Sequence, residues 1–368
     1  MKTKNFLPLI ILTFLFLGSL LIPLTGSTFN GLESTLGGAR QPAEQLSHSA
    51  GQQQRKTTPI LQKLKLQLVG DIPLPGGTSR FDYQTIDQIH RRLFISHMGA
   101  NLMIVYDLDS NKVVGTVGDI PRPTGIFAVP ELNTVYVSAS AANEVYVVDE
   151  KSLKTIATVI TGSFPDGIAY DPEVKRVFVS CEFGSVVTVF DALNDRVITN
   201  IHMGGHVGNT HFDPISRMIF STVQTLDELV EINPQKLRIV ARYHLEGCEG
   251  PHGFCIINKP HYAFITGEDN ASYVVFDMSS NRIIARGNVG GDPDVLAYDG
   301  MYHRLYVGSE SGVVSEFYIG DGTAKEIGSG FLAKHAHTVS VDEKTHFVYF
   351  PLQDIEGRAV LRILKPRE

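Results

Sequence analysis

A unit of about 42 residues recurs along most of the chain and constrains the fold more than any other feature of the sequence. Each copy contains a β-forming run such as Val-Tyr-Val-Ser at 135–138, a loop, and a second β-forming run such as 145–149. Valine, isoleucine and aromatic residues at matching offsets predict strands. Seven copies open 42 to 44 residues apart, at Asp82, Thr124, Asp166, Gly208, His252, Asp294 and His337.

This spacing predicts an all-β fold, a seven-bladed β-propeller of four-stranded blades. A sheet of four short strands cannot bury both faces alone, but seven sheets packed radially bury them against one another. The last repeat has a strand at 360–364 with no strand after it, whereas 66–72 form a strand ahead of the first repeat. We therefore expect the N-terminal strand to complete the C-terminal blade and close the ring, which leaves no open sheet edge.

Residues 1–27 have the layout of an export signal or an N-terminal anchor. Lys2 and Lys4 precede an apolar run at 6–24, which is long enough to span a membrane if it is not cleaved. Residues 28–64 are polar and lack apolar periodicity, which predicts a flexible linker ahead of a propeller at 65–368. The protein is expected to be exported, to the periplasm or outside the cell, with membrane contact only through an uncleaved N-terminal segment.

The net charge limits the classes of partner, and the number of cysteines limits the disulfides that can form. With 39 acidic and 32 basic residues the net charge is -7, so no nucleic-acid partner is expected. Three cysteines allow at most one disulfide. Cys248 and Cys255 are close enough in sequence to form it, whereas Cys181 and Cys255 also suit small buried apolar positions.

The residues that open the repeats are expected to ring one mouth of the propeller channel. Four consecutive blades supply metal-ligand side chains there, namely His252, Asp294, His337 and, across the closure, Asp82. Imidazoles and carboxylates together suit a divalent metal such as zinc, manganese, iron or calcium. Asp166 completes the ring of candidate ligand-binding residues. The alternative is that these aspartates cap their own turns and that the channel holds water.

The loops between second and third strands add an outer set of side chains to the same face. His97 is a further candidate ligand-binding residue, and Glu182, Glu268 and Glu310 are candidates to orient the histidines or to act as a catalytic general base. A solvated acidic rim is the alternative. Other candidates near the mouth are Arg80 and Arg122 for an anionic ligand, and His335 beside His337, whereas His211 fits a core histidine.

The tract from about 66 to 366, with Val-Tyr-Val-Ser at 135–138, resembles the YVTN-repeat, YncE-like seven-bladed propellers exported by bacteria. The Asn that closes the family motif is His97, Ala139 or Cys181 here. The resemblance implies a binding or interaction module rather than an enzyme, with a protein, a glycan or a small molecule as its partner.

A lactonase-type, metal-dependent hydrolase is the alternative function. In it the arc of His252, Asp294, His337 and Asp82 would hold the ion that polarises a carbonyl and activates water. The sequence lacks Gly-x-Ser-x-Gly, Cys-x-x-Cys, phosphate-loop and His-Glu-x-x-His motifs, so other common catalytic classes have no support.

Overall fold

Seven four-stranded antiparallel sheets make up the computed structural model, which describes residues 63–320 and 322–367. The all-β, seven-bladed fold predicted from the repeat is confirmed. The expected signal or anchor at 1–27, and the expected linker as far as residue 62, lie outside the described residues. Leu64, at the end of that linker, is buried in an apolar cluster. Within the described ranges, no helix has the length and apolar character needed to cross a bilayer.

The first strand, β1 (Leu66–Pro73), is separated in sequence from the blade to which it belongs. The strands after it follow one another blade by blade. Blade 1 contains β2 (Gln84–Asp87), β3 (Arg92–His97), β4 (Leu102–Asp107) and β5 (Lys112–Val117). Blade 2 contains β6 (Pro123–Val129), β7 (Thr134–Ala139), β8 (Glu144–Asp149) and β9 (Lys154–Ile160). Blade 3 contains β10 (Pro165–Asp171), β11 (Arg176–Cys181), β12 (Val186–Asp191) and β13 (Arg196–His202). Blade 4 contains β14 (Val207–Asp213), β15 (Met218–Val223), β16 (Glu228–Asn233) and β17 (Arg238–His244).

The remaining blades repeat this order. Blade 5 contains β18 (Pro251–Ile257), β19 (Tyr262–Gly267), β20 (Ser272–Asp277) and β21 (Arg282–Asn288). Blade 6 contains β22 (Pro293–Asp299), β23 (Arg304–Ser309), β24 (Val313–Gly320) and β25 (Thr323–Phe331). Blade 7 contains β26 (Ser340–Val341), β27 (Val348–Ile355), β28 (Arg358–Pro366) and, as its fourth strand, β1.

The first strands of successive blades contact one another around a common axis, including β26 of blade 7 and β2 of blade 1. Most middle strands are nearly continuous apolar runs because neighbouring blades cover both faces; β11, for example, is buried beyond its first residue. Outer strands such as β21 alternate between exposed and half-buried residues, since solvent covers one face. The core therefore lies between the blades, in seven apolar clusters among the described residues.

The N-terminal strand pairs with the C-terminal strand in a single sheet. Leu66 lies opposite Pro366 and Pro73 lies opposite Val360 in the antiparallel register of β1 and β28. A two-point ion pair supports this contact, with Arg362 Nε and Nη2 at 2.8 and 2.6 Å from the two carboxylate oxygens of Asp71. Arg362 is buried, so the Asp71 carboxylate is needed to compensate its positive charge.

The three cysteines are free thiols. Cys181 and Cys248 are buried and Cys255 is half-buried, and the bridge considered for Cys248 and Cys255 is not formed. Burial raises the pKa of Cys255 and that of Cys248 to about 12, so both behave as small apolar residues at neutral pH.

We expect Asp71→Ala to lower the free energy of unfolding by about 1–3 kcal/mol, because it leaves the buried Arg362 charge without its partner. Lys344→Ala, which removes an ion pair with Asp109 between two well-exposed side chains, serves as the control and should change the free energy by less than about 0.5 kcal/mol. Urea denaturation of the three proteins measures both effects. Equal stability of the two variants would show that the N-terminal strand does not support blade 7 through this contact.

Candidate metal centre at the channel mouth

The propeller brings the residues that open the repeats to one end of the channel. Asp166, His252 and Asp294 are each the second residue of a first strand, in β10, β18 and β22. Asp82 and His337 occupy the equivalent places ahead of β2 and β26. All five are buried, with exposed fractions from 1% to 8%. The predicted ring of polar residues is therefore present, and it is shielded from bulk solvent.

Asp294 lies between the two histidines of the ring. Its Oδ1 is 3.6 Å from His252 Nε2, and its Oδ2 is 4.0 Å from His337 Nε2. On its other side, His252 Nε2 lies 3.6 Å from Asp166 Oδ2. The structure thus brings together three of the four side chains that the sequence suggested as metal ligands, and it adds Asp166 to them.

Asp82, the fourth suggested ligand, is held by an arginine instead. Arg80 Nη2 lies 3.2 Å from Asp82 Oδ1, and the same guanidinium pairs with Glu310. Among the described residues, the groups of donor atoms close enough to share an ion at the mouth are His252–Glu268–Asp294 and Asp294–Glu310–His337, and Asp82 belongs to neither. Asp82 influences the site electrostatically, through Asp294 and His337.

The loop glutamates form an outer layer around the histidines. Glu268 Oε1 lies 3.8 Å from His252 Nδ1. Glu310 Oε2 lies 3.3 Å from His337 Nδ1 and 2.7 Å from His335 Nδ1. Glu182 interacts with His252 only electrostatically. Glu268 and Glu310 are therefore in position to orient the histidines, as expected from the sequence, whereas Glu182 is farther from the ring.

Gln224 is a member of this outer layer that the sequence reasoning missed. Its Nε2 lies 2.6 Å from His252 Nδ1 and 3.5 Å from Glu268 Oε2. It stands in blade 4 at the offset that Glu182 and Glu268 hold in their blades. Alignment of the repeats places Gln224 at this offset, but an amide does not ionise and so gives no signal of a metal or catalytic role.

His97 is fixed by the segment ahead of β2 and does not reach the ring ligands through its nitrogens. Its Nδ1 lies 3.0 Å from the Pro75 carbonyl oxygen, its Nε2 lies 2.9 Å from Ser79 Oγ, and its ring stacks on Phe81 at 4.1 Å. Both nitrogens of this fully buried side chain thus have protein partners. The expected ligand-binding role does not fit this arrangement, and His97 instead anchors the chain that leads into blade 1.

The other side chains predicted near the mouth divide between the rim and the channel. Arg122 stacks over Phe164 of the next blade, 5.5 Å from the ring centre, rather than pointing to the ring of ligands. His211 lines the channel below the ring and packs edge-on against Phe254. Burial by its neighbours lowers the pKa of His211 to about 4, so it is neutral, but it is half-buried at the channel wall rather than in the core as predicted.

Burial makes the acids of the site hard to ionise. It raises the pKa of Asp166 well above its usual range, that of Glu268 to about 7, and that of Asp82 to about 6 in spite of Arg80. Glu310 is the exception, because the charges of His337 and Arg80 overcome its burial and lower its pKa. Like charges crowd this site, and a positive partner would relieve them.

The same carboxylates favour the charged form of the histidines. Burial opposes protonation of His252, but Glu268, Asp294 and Asp166 outweigh it and raise its pKa to about 10. For His337, Glu310 and Asp294 likewise overcome burial and raise the pKa. In the metal-free protein, protons therefore supply part of the positive charge that the carboxylates need.

Asp294 Oδ1 and His337 Nε2 are buried atoms of the ring that lack hydrogen-bond partners among the described residues. A buried polar atom without a partner costs free energy, so an ion or water bound between them would stabilise the ring. Two donors that bind one ion at about 2.0–2.2 Å lie no more than about 4.4 Å apart. The separations of 3.6 and 4.0 Å around Asp294 meet this condition.

Glycines allow the strands to approach closely enough for these contacts. A Cβ atom at Gly253 would lie 1.6 Å from the Asp294 carbonyl oxygen, and one at Gly125 would lie 1.9 Å from the Asp166 carbonyl oxygen. Both glycines directly follow a ring position. The spacing of His252 and Asp294 therefore depends on the absence of a side chain at Gly253.

We expect Gly253→Ala to lower the free energy of unfolding by about 1–3 kcal/mol or more, because blades 5 and 6 must move apart. Gly70→Ala is the matched control, since its new methyl group would meet nothing within 4 Å and should be neutral or slightly stabilising. Thermal unfolding followed by circular dichroism measures both. A Gly253→Ala protein as stable as the control would show that the close approach is not required.

Stability of the metal-free protein should also depend on His252 through pH. Because its pKa is raised from about 6.5 to about 10, its contribution is complete below pH 6.5 and is lost as the pH rises toward 10. We expect the free energy of unfolding in a chelator to decline over this range, and His252→Gln to flatten the decline. His244→Gln, an exposed control on β17, should keep the wild-type profile. Parallel profiles for all three proteins would contradict the assignment.

Comparison with known proteins supports the fold but assigns no family. No protein-family model and no curated protein matches the chain. A hydrazine synthase structure from Kuenenia stuttgartiensis is 16% identical with a TM-score of 0.67, over 80% of this chain and 97% of that one. A virginiamycin B lyase from Staphylococcus aureus is 12% identical with a TM-score of 0.67, over 81% of this chain and 99% of that one. At these identities the likeness shows a shared β-propeller fold.

Proposed function

We propose that this protein is an exported propeller of the YVTN-repeat type that binds a divalent cation at its channel mouth. The observation that carries the proposal is the position of Asp294, whose two carboxylate oxygens face the Nε2 atoms of His252 and His337. Imidazole and carboxylate donors suit zinc, manganese or iron. Glu268 and Glu310 supply further oxygens on either side.

The charge of the site favours a cation over an anionic ligand. Six carboxylates interact electrostatically with one another or with the two ring histidines. Among the described residues, Arg80 is the permanently charged cation beside them. The six carboxylates are those of Asp82, Asp166, Glu182, Glu268, Asp294 and Glu310. A metal ion would replace the proton that the raised pKa of His252 places on it in the metal-free protein.

The burial of the ring separates this ion from any larger partner. Exposed fractions of 1% to 8% leave no surface on which a protein or a glycan could contact the ring side chains. A cleft of about 620 Å³ lies outside the ring and is lined by Arg80, Asp292, Glu310, Ser311 and His335, with Gly291. A small molecule in this cleft, or a partner on the rim, would contact Glu310 and His335, and the ion would affect it through these two side chains.

Metal analysis of the purified full chain tests the proposal. After dialysis against zinc or manganese and removal of excess metal, we expect tightly held ion, and we expect Asp294→Ala to weaken its binding by at least about 100-fold, because both histidines lose the carboxylate between them. Asp109→Asn, which changes a well-exposed carboxylate, is the matched control and should bind like wild type. Metal-free wild-type protein, or unchanged binding by Asp294→Ala, would overturn the proposal.

A metal-dependent hydrolase of the lactonase type is the second candidate, and the cleft beside Glu310 is the observation that favours it. The cleft gives a small carbonyl substrate a place next to the ion, which could polarise the carbonyl and activate water. Assays of the metal-loaded protein with simple lactones and aryl esters separate the two functions. Turnover that disappears in His252→Ala would support the hydrolase. Bound metal without turnover would support the binding module instead.

A further inference from the structure

A second group of metal-ligand side chains lies at the opposite end of the blades, between blades 1 and 2. One donor atom each from Asp87, His90 and Glu150 lies within 4.8 Å of the others. His90 Nδ1 is 2.8 Å from Asp87 Oδ2 and 3.4 Å from Glu150 Oε2. Asp87 and Glu150 are only 1% and 2% exposed, whereas the His90 side chain is 41% exposed. Two buried carboxylates thus face one imidazole that solvent can reach.

Glu150 stands where five other blades place an apolar residue that is buried or half-buried. The residue at this position follows the third strand and, unless it is proline, donates its backbone N–H to a carbonyl in the turn between the first and second strands, as Glu150 does to Asn133 at 2.8 Å. Its equivalents in five other blades are Leu108, Ala192, Pro234, Met278 and Ile319. Neither carboxylate oxygen of Glu150 makes a well-formed hydrogen bond among the described residues, and its polar neighbours are Asp87 and His90, whose Nδ1 is 3.4 Å from Oε2. A carboxylate buried in this way is costly unless a positive group compensates it.

Asp87 lacks the partner that equivalent aspartates receive. In blades 3, 4, 6 and 7 an aspartate also ends or directly follows the first strand, and a basic side chain from the next blade pairs with it or with a neighbouring glutamate. The pairs are Arg91–Asp342 at 2.6 Å, His261–Asp213 at 3.0 Å, His346–Asp299 at 3.1 Å and Arg217–Glu173 at 3.0 Å. In blade 2 the equivalent of these basic residues is Asn133, which is neutral. At this junction the basic side chain comes from His90 of blade 1 itself, and it faces two buried carboxylates instead of one.

Arg92 does not fill this role. Its Nη1 donates to the Glu150 backbone carbonyl at 2.6 Å and is 3.9 Å from the Glu150 carboxylate. Arg176 makes the same backbone contact with Pro234, at 2.6 Å, where no carboxylate is present. The Arg92 contact is thus a feature of the repeated fold and does not account for the buried glutamate.

We propose that a divalent cation binds between Asp87, Glu150 and His90 and links blade 1 to blade 2. Two carboxylates and an imidazole suit zinc or manganese, and the exposed His90 leaves room for water ligands and for access of the ion. Asp87 Oδ1 accepts the backbone N–H groups of Ile89 and His90 at 2.7 and 2.8 Å, which points Oδ2 at the site. The ion would take the place of the basic side chain that other junctions provide.

Zinc binding by the full chain tests this site separately from the channel mouth. In the Asp294→Ala background, in which the mouth is disabled, we expect one tightly held zinc per chain by equilibrium dialysis and metal analysis. Adding Glu150→Leu, which installs the side chain of Leu108 at the equivalent position, should remove that zinc. Glu150→Leu alone should raise the melting temperature of the chelator-treated protein, because the buried carboxylate is gone, and it should abolish the added rise in melting temperature that this zinc provides.

His90→Ala tests the same site from its more accessible side, since the His90 side chain is 41% exposed. In the Asp294→Ala background it should weaken zinc binding at least tenfold and lower the melting temperature of the chelator-treated protein, because two buried carboxylates lose their imidazole partner, whereas His202→Ala, an exposed histidine on β13, should change neither. Zinc retained after Glu150→Leu, or undiminished affinity after His90→Ala, would overturn the junction site. Zinc absent from Asp294→Ala itself would overturn it as well. Zinc held only by variants with an intact junction would instead reject the mouth site.

Discussion

The need of each small sheet to bury both faces determines the rest of this structure. A blade can do this only against its two neighbours, and the apolar clusters between blades are where the burial occurs. Radial packing then forces the first strands of all blades toward one axis. Side chains that are more than 80 residues apart along the chain, such as Asp166 and His252, come within 4 Å of each other as a result.

The two ends of the blades use charge differently, although the aspartates of both ends are buried. At the mouth, acids and histidines converge inward on one small volume, where they compete for the same protons. At the other end, aspartates that terminate the first strands pair sideways with the next blade, as Asp342 does with Arg91. The first arrangement concentrates negative charge, and the second joins neighbouring blades. The group formed by Asp87 and Glu150 combines both, since it lies at a junction yet is rich in carboxylate.

The sequence predicts those features that the repeat makes periodic. The blade number, the strand order and the convergence of His252, Asp294 and His337 all follow from equal spacing, because equivalent residues in a propeller share a height on the axis. Contacts outside the period could not be predicted. Pro75 and Ser79, which fix His97, precede the first repeat. The pairing of Arg80 with Glu310 spans 230 residues and depends on side-chain length rather than on position. The repeat alignment shows that Glu150 is acidic where its equivalents are apolar. Only the structure shows that its carboxylate is buried, which is why this difference indicates a site.

The antiparallel contact between β1 and β28 has a consequence for the order of events during biogenesis. A ribosome makes β1 before all the other strands of the propeller and β28 after them, so the seventh blade cannot form until the other six have been synthesised. Until then β1 remains without its neighbour. The growing chain is therefore an incomplete propeller for most of its synthesis, a state that calls for protection by chaperones.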